Sequence, residues 1–194
     1  MYLCAVVLLA VIIALLRGGN WQNLLTFRFR KDWLVFVAIV LQLLIFNPLW
    51  EKYVQGGIIT SIIYVISIMI VIAFIIVNLN ITGLRVLGLG IISNSIAIIS
   101  NGGFMPSKLE ALKNVMSAER INVLESGSAA YNVVLITKET KFKYLCDNFY
   151  VPHVNVYSAG DVLIALGAFI AIQQIMLHRK GANVIKSHIT MKGG

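Results

Sequence analysis

Charge is scarce in this chain. Of its 194 residues eight are acidic and 16 basic, so 12% are charged, where soluble globular proteins carry roughly 25%. With 59% apolar residues and a mean hydropathy of +0.86, that shortage excludes an ordinary water-soluble domain. Histidine is scarce too: His153 falls in a polar segment expected outside the membrane and His178 and His188 in the predicted cytoplasmic tail, so that topology keeps the three from one site. There is no His-Glu-x-x-His pair, no Cys-x-x-Cys pair and no Gly-Lys-Ser/Thr phosphate loop, so the familiar zinc and nucleotide chemistries lack their ligands. No metal and no cofactor is predicted. The two cysteines, Cys4 and Cys146, are too few for a disulfide framework. Free thiols are expected, the alternative being one bridge between the first helix and the polar segment.

What the chain does have is long apolar runs. Ile58–Val77 contains no charged residue, and as a helix at 1.5 Å per residue it crosses the roughly 30 Å hydrocarbon core. Four others accompany it, at about Tyr2–Leu16, Trp33–Leu49, Val86–Ser100 and Ala159–Leu177. The runs are too uniformly apolar for barrel strands, which alternate with a period of two. The fold class expected is therefore an all-α polytopic membrane protein of about five transmembrane helices. Residues 1–100 form a four-helix region, 101–158 a small external cap, 159–178 the fifth helix and 179–194 a basic cytoplasmic tail.

The basic residues alternate by side. Nothing basic precedes the first run, while Arg17, Arg28, Arg30 and Lys31 follow it, the reverse of a cleaved signal peptide. Glu51–Gly57 has only Lys52; the next turn carries Arg85, and the tail Arg179, Lys180, Lys186 and Lys192. This asymmetry predicts the N-terminus outside and the C-terminus in the cytoplasm. The net charge of +8 is then a matter of topology, with Arg17, Arg28, Arg30 and Lys31 as candidate contacts for anionic lipid and no role for nucleic acid. The sequon Asn80-Ile81-Thr82 lies on the predicted cytoplasmic side.

Within 101–158, Ser107-Lys108-Leu109-Glu110 has capping-box spacing, and Leu109, Leu112, Val115 and Met116 share one helical face. A short amphipathic helix lying on the membrane or the bundle is expected, then a turn at Gly127, a short strand at Tyr131–Ile136 and a charged turn at Lys138–Lys143. Arg17-Gly18-Gly19 and Asn101-Gly102-Gly103-Phe104-Met105-Pro106 each sit where an apolar run ends. Both read as turns, and the second offers exposed backbone that can meet a headgroup or ion.

These elements, with Gly83-Leu84, Lys143-Tyr144-Leu145-Cys146-Asp147 and Tyr157-Ser158-Ala159-Gly160-Asp161-Val162-Leu163, resemble the bacterial membrane family known as domain of unknown function 5317 over nearly the whole chain. The family commonly has glycine before the loop aspartate, where this chain has Cys146. The resemblance implies a multi-pass envelope protein and carries no established reaction.

Three sets of residues remain as candidates for chemistry. Asp147 and Asp161, with Asn101 nearby, can hold a cation or share a proton; equally, Asp161 opens a helix whose dipole favours a carboxylate and Asp147 fixes a loop. Inside the membrane Gln42, Asn94, Gln173 and Gln174 demand partners, and a polar cavity at Gln42 and Asn94 would suit a lipid headgroup or quinone carbonyl. Gly88-Leu89-Gly90 and the pairs Ser93/Ala97 and Gly167/Ala171 point to close helix packing. Asn101, Gly102 and Gly103 complete the candidate ligand contacts. The function expected is a binding or assembly component of the envelope, with membrane lipids, a membrane-protein partner or a second copy as partners. The alternatives are a carrier or lipid- or quinone-binding protein using a bundle cavity, and an envelope enzyme using the two aspartates.

Overall fold

Uninterrupted apolar sequence in a bilayer leaves the backbone no partner but itself, and the long runs are helical. The computed structural model describes residues 2–45, 57–130, 132–152 and 155–178. Helix α1 spans Tyr2–Leu16, α2 Gln22–Thr26, α3 Trp33–Ile45, α4 Ile58–Val77, α5 Thr82–Ser100, α6 Leu109–Leu112, α7 Ala118–Glu125 and α8 Ala159–Met176. Among the described residues α4, α5 and α8 are long and apolar enough to cross a membrane, with 20, 19 and 18 residues, or roughly 27–30 Å. Leu3–Leu16 and Trp33–Ile45 are apolar but shorter. The end of the expected Trp33–Leu49 run, residues 51–56 of the next turn, and the basic tail lie outside the described residues.

The run expected from Val86 starts four residues earlier, at Thr82, so Arg85 belongs to a helix and not to a turn. The cause is tertiary: the Thr82 amide donates to Gln174 Oε1 at 2.9 Å, and Arg85 Nε reaches back to the Leu79 carbonyl. Both contacts hold the first turn where apolar sequence alone would start it later.

Directions follow from the contacts. Gln42 donates to Ser67 Oγ while Leu34 and Val35 share a cluster with Phe74, so α3 and α4 run antiparallel. Gln173 donates to the Ala10 carbonyl and the Asn20 amide to the Met176 carbonyl, so α1 and α8 run parallel. The tightest contact is antiparallel, between α5 and α8. A Cβ on Gly90 would come within 2.8 Å of the Ile164 amide nitrogen, and one on Gly83 would strike the backbone of Gly167 and Ala171. On the facing helix, Gly160 meets the Gly90 carbonyl and Gly167 meets Leu87 in the same way. Gly83/Gly90 and Gly160/Gly167 are each seven residues, about two turns, apart, so two glycine stripes let the backbones touch. Outward faces stay apolar: Phe36, Leu43, Ile59 and Leu89 are more than 60% exposed, a surface that water would not tolerate over this area.

Between α5 and α8 the chain builds a small layer with its own core of Leu112, Ile121, Leu124, Val133 and Val156. Strand β1 (Met105–Ser107) pairs in parallel with β2 (Val133–Leu135), and β3 (Phe149–Val151) antiparallel with β4 (Asn155–Tyr157). The expected strand is thus present and has a partner, its predicted first residue, Tyr131, lying outside the described set. The expected capping box at Ser107 is not formed: Ser107 is in β1, its hydroxyl donates to Asp147 Oδ2 at 2.9 Å, and Lys108 occupies the N-cap without a side-chain cap. Leu109, Leu112, Val115 and Met116 do gather on one core, that of this layer, although the helix itself ends at Leu112. Helix α7 was not anticipated.

The glycine seam predicts a sharp contrast. Gly90→Ala or Gly167→Ala should lower thermal stability in detergent by about 1–3 kcal/mol or more through overpacking. Gly88→Ala should cost less, since its Cβ would meet one side chain, Ile75, with Cγ2 at 3.0 Å and Cδ1 at 3.9 Å, and no backbone of a neighbouring helix. Equal losses in the three variants would count against a backbone contact as the organising feature.

Candidate functional site

Two adjoining cavities lie where the bundle meets the 101–158 layer. The first, about 290 Å3, presents Asp147, Asp161, Tyr64, Asn94, Asn132 and Asn155, with Leu112, Met116 and Val156 as its apolar wall. The second, about 240 Å3, runs between the helices past Gln42 and Ser95 and is otherwise aliphatic, with Ile68, Val71, Ile91 and Ile164. Tyr64, Asn94, Ile98 and Asp161 line both, so they form the neck. The candidates Gln42 and Asn94 therefore do border a common cavity, and Asp147 and Asp161 do face one chamber.

Each polar group has a local reason for its position. Ser158 caps α8: its Oγ accepts from the Asp161 amide at 3.0 Å, and Asp161 Oδ2 accepts from the Ser158 amide at 2.9 Å, a complete capping box. The other carboxylate oxygen of Asp161 accepts from Asn94 Nδ2 at 3.0 Å, and Ser158 Oγ lies 2.8 Å from Asn94 Oδ1. The helix-dipole role expected of Asp161 and the intramembrane partner expected for Asn94 are one network. Asp147 is held by main chain, its amide donating to the Pro106 carbonyl at 3.0 Å, so that it extends β1 as a third edge. Ser107 Oγ donates to its Oδ2.

Asp147 differs electrostatically from an ordinary carboxylate. Burial, and then the negative charge of Asp161, push its pKa up from 3.8 to about 7, against a lowering by the Ser107 hydrogen bond. The neighbouring Cys146 thiol is pushed up to about 11 by burial and then by the Asp147 charge. Both cysteines are free, Cys4 exposed and Cys146 buried, with Cys146 Sγ 3.5 Å from the Phe142 carbonyl. Among the described residues no three His, Cys, Asp or Glu side chains gather as metal ligands.

The remaining candidates lie apart. Asn101 donates to the Ala97 and Lys141 carbonyls at 2.7 and 3.0 Å and accepts from the Lys141 amide at 2.9 Å, so its side chain ties the end of α5 to the charged loop. Gly102 and Gly103 have φ of +77° and +88°, and Ser61 Oγ donates to the Gly102 carbonyl at 2.7 Å. They are absent from both cavity linings. Arg17, Arg28, Arg30 and Lys31 sit at the opposite end of the bundle, all exposed, with Arg17 Nη1 donating to Gln173 Oε1 at 2.8 Å. Tyr64, Asn132 and Asn155 were missed. A phenol inside the apolar run of α4 is the one signal that could have drawn notice, while the two asparagines depend on strand register.

The fold defines a mostly helical protein with helices of membrane length and a polar chamber at one bundle end. A family of unknown function (DUF5317) matches residues 26–173, and the chain belongs to that family. An uncharacterized protein of Thermotoga maritima is 27% identical over 175 residues, covering 85% of this chain and 86% of that one. No solved structure matches the chain.

The raised Asp147 pKa carries a linkage. The folded state holds a proton that the unfolded chain releases near pH 4, so this group's stabilising contribution is complete below about pH 4 and declines as pH rises to about 7. Asp147→Asn should flatten that part of the stability curve. In carboxylate infrared titration the wild type should show one group near pH 7, shifted downward in Asp161→Asn; an unshifted midpoint there would exclude Asp161 as a cause.

Proposed function

We propose that this is a five-span protein of the bacterial inner membrane that binds an amphiphilic envelope molecule in the junction cavities. The observation that carries the reading is the neck itself: a chamber with two carboxylates and three asparagine amides opens past Tyr64, Asn94 and Ile98 into an aliphatic one. A molecule with a hydrogen-bonding head and an apolar tail matches both parts, and sites of this kind are concave with a few convergent polar groups. In this reading residues 101–158 form an external cap and the Arg17–Lys31 end faces the cytoplasm, as the basic-residue asymmetry supports.

A second reading, an envelope enzyme, is favoured by one observation: Asp147, pushed up to about 7, is poised to take and return a proton. Assembly with a partner protein or a second copy has no comparable feature in its favour.

The test is native mass spectrometry of protein extracted in mild detergent, with the released molecule identified. A stoichiometric amphiphile is expected. Its occupancy should fall about tenfold or more in Asp147→Asn and Asn94→Ala, the loss of charged or buried hydrogen bonds, with thermal unfolding checking that each variant is folded. A wild-type protein that emerges empty defeats the binding reading. Turnover of the amphiphile, abolished in Asp147→Asn while binding persists, would replace it with the enzymatic one.

A further inference from the structure

A third cavity, independent of the junction, opens on the outer face of the α4–α5 hairpin. It measures about 330 Å3 and is lined by aliphatic side chains, among them Ile72, Ile76, Leu79 and Ile92, with one charged residue, Arg85. Ile76, Leu79 and Ile92 are exposed, so the groove faces outward, where lipid would lie if the bundle spans a membrane. From Leu79 back to Ile72 is seven residues, about 10 Å along the helix. Gly88 keeps the floor open: any side chain there would begin 3.0 Å from Ile75 Cγ2 and grow into the space.

Arg85 stands at the turn end of this groove. Its Nε is engaged with the Leu79 carbonyl, which aims the guanidinium and leaves the terminal nitrogens for a ligand. Among the described residues no carboxylate lines the groove, and Lys113 pairs with Glu125 in the 101–158 layer. The surrounding field has the same sign. The Arg30 amide donates to Asn78 Oδ1 and Arg17 bonds Gln173, which places Arg17, Arg28, Arg30 and Lys31 at this end, with Asp32 as their one acidic neighbour in sequence. An apolar slot ending in an unneutralised arginine, within a basic rim, is complementary to an acyl chain attached to an anionic head.

We infer that the α4–α5 groove seats one acyl chain of an anionic phospholipid from the adjoining leaflet, with Arg85 on its headgroup. The inference rests on the membrane-spanning reading but not on the junction cavity. The site would fix the hairpin's depth in the bilayer and favour membranes rich in anionic lipid.

The experiment uses the full chain in detergent micelles doped with equal amounts of phosphatidylglycerol and phosphatidylcholine of identical chains, read by native mass spectrometry. One phosphatidylglycerol should be retained in preference by about fivefold or more. Arg85→Gln should bring that preference close to unity, and Arg85→Lys should restore part of it. Gly88→Leu, which fills the groove, should lower retention of both lipids; Ile76→Ala, which leaves the groove open, serves as the variant that keeps the charge preference if Gly88→Leu does not fold. Arg28→Gln, which removes one charge of the rim, should lower the preference by less than Arg85→Gln does, and Lys113→Gln, in the 101–158 layer, should leave it intact. Equal retention of the two lipids by the wild type, or a preference that survives Arg85→Gln, overturns the site. So does a loss in Arg28→Gln as large as in Arg85→Gln, which would mean a diffuse basic rim. A junction cavity found empty has no bearing on any of these readings, so the two proposals fail separately.

Discussion

The backbone contact between α5 and α8 is the constraint on which the other features depend. Lipid tails are as apolar as leucine, so helices in a bilayer are held by close packing and by polar bridges rather than by exclusion from water. Gly83 and Gly90 against Gly167 and Gly160 supply the packing. Because Gly160 lies against Asn94, the same contact brings the start of α8 within hydrogen-bonding distance of α5 and assembles Ser158, Asp161 and Asn94 into one network. A side chain at Gly160 would displace Asn94, so the neck of the cavity is a direct product of the seam. Two further amides act alongside: Gln174 caps α5 from α8, and Gln173 joins α8 to α1. Gln42 does the same between α3 and α4 through Ser67. Each of these amides thus finds its hydrogen-bond partner on another helix, and for the buried Gln173 that bond offsets the cost of desolvation.

Much of this was legible in the sequence because it depends on single-helix properties. Apolar run length sets helix extent, and Ile58–Val77 is the same in both descriptions. Ser158-Ala159-Gly160-Asp161 carries a capping pattern that needs only three residues of local chain. The demand of Gln42, Asn94, Gln173 and Gln174 for partners follows from their place within apolar runs, though not which partners they find. What was illegible depends on distant residues. Ser107-Lys108-Leu109-Glu110 has the spacing of a capping box, yet the parallel pairing of Met105–Ser107 with Val133–Leu135 takes Ser107 into a strand and hands its hydroxyl to Asp147, 40 residues on. Helix α5 starts at Thr82 because of Gln174, 92 residues away. Asn78, buried at the end of α4, receives no emphasis from composition; its amide donates to the Arg30 and Phe74 carbonyls and its oxygen accepts from the Arg30 amide, clamping the Arg28–Lys31 loop to the bundle.

The two ends of the bundle are built on opposite electrostatic principles. At the Arg17–Lys31 end the charges are exposed, with Arg17 also donating to Gln173. At the junction the charges are fewer and enclosed. Asp161 accepts from the Ser158 amide and from Asn94, with Ser158 Oγ also 3.0 Å from its Oδ2. Asp147 receives one side-chain hydrogen bond, from Ser107, and faces the charge of Asp161 across the chamber. Burial, and then that neighbouring charge, favour the protonated form of Asp147. Packing alone gives no reason to hold such a group there, since an asparagine would fill the same volume without the cost of ionisation. A structural role for Asp147 is already discharged by its backbone, which extends β1 through the Pro106 carbonyl and the Lys108 amide whatever side chain it bears. The carboxyl accepts from the buried Ser107 hydroxyl with one oxygen and also lines the larger of the two joined chambers. That separation of backbone duty from side-chain chemistry is what distinguishes Asp147 from Asn101, whose side chain is wholly consumed in tying a helix end to a loop.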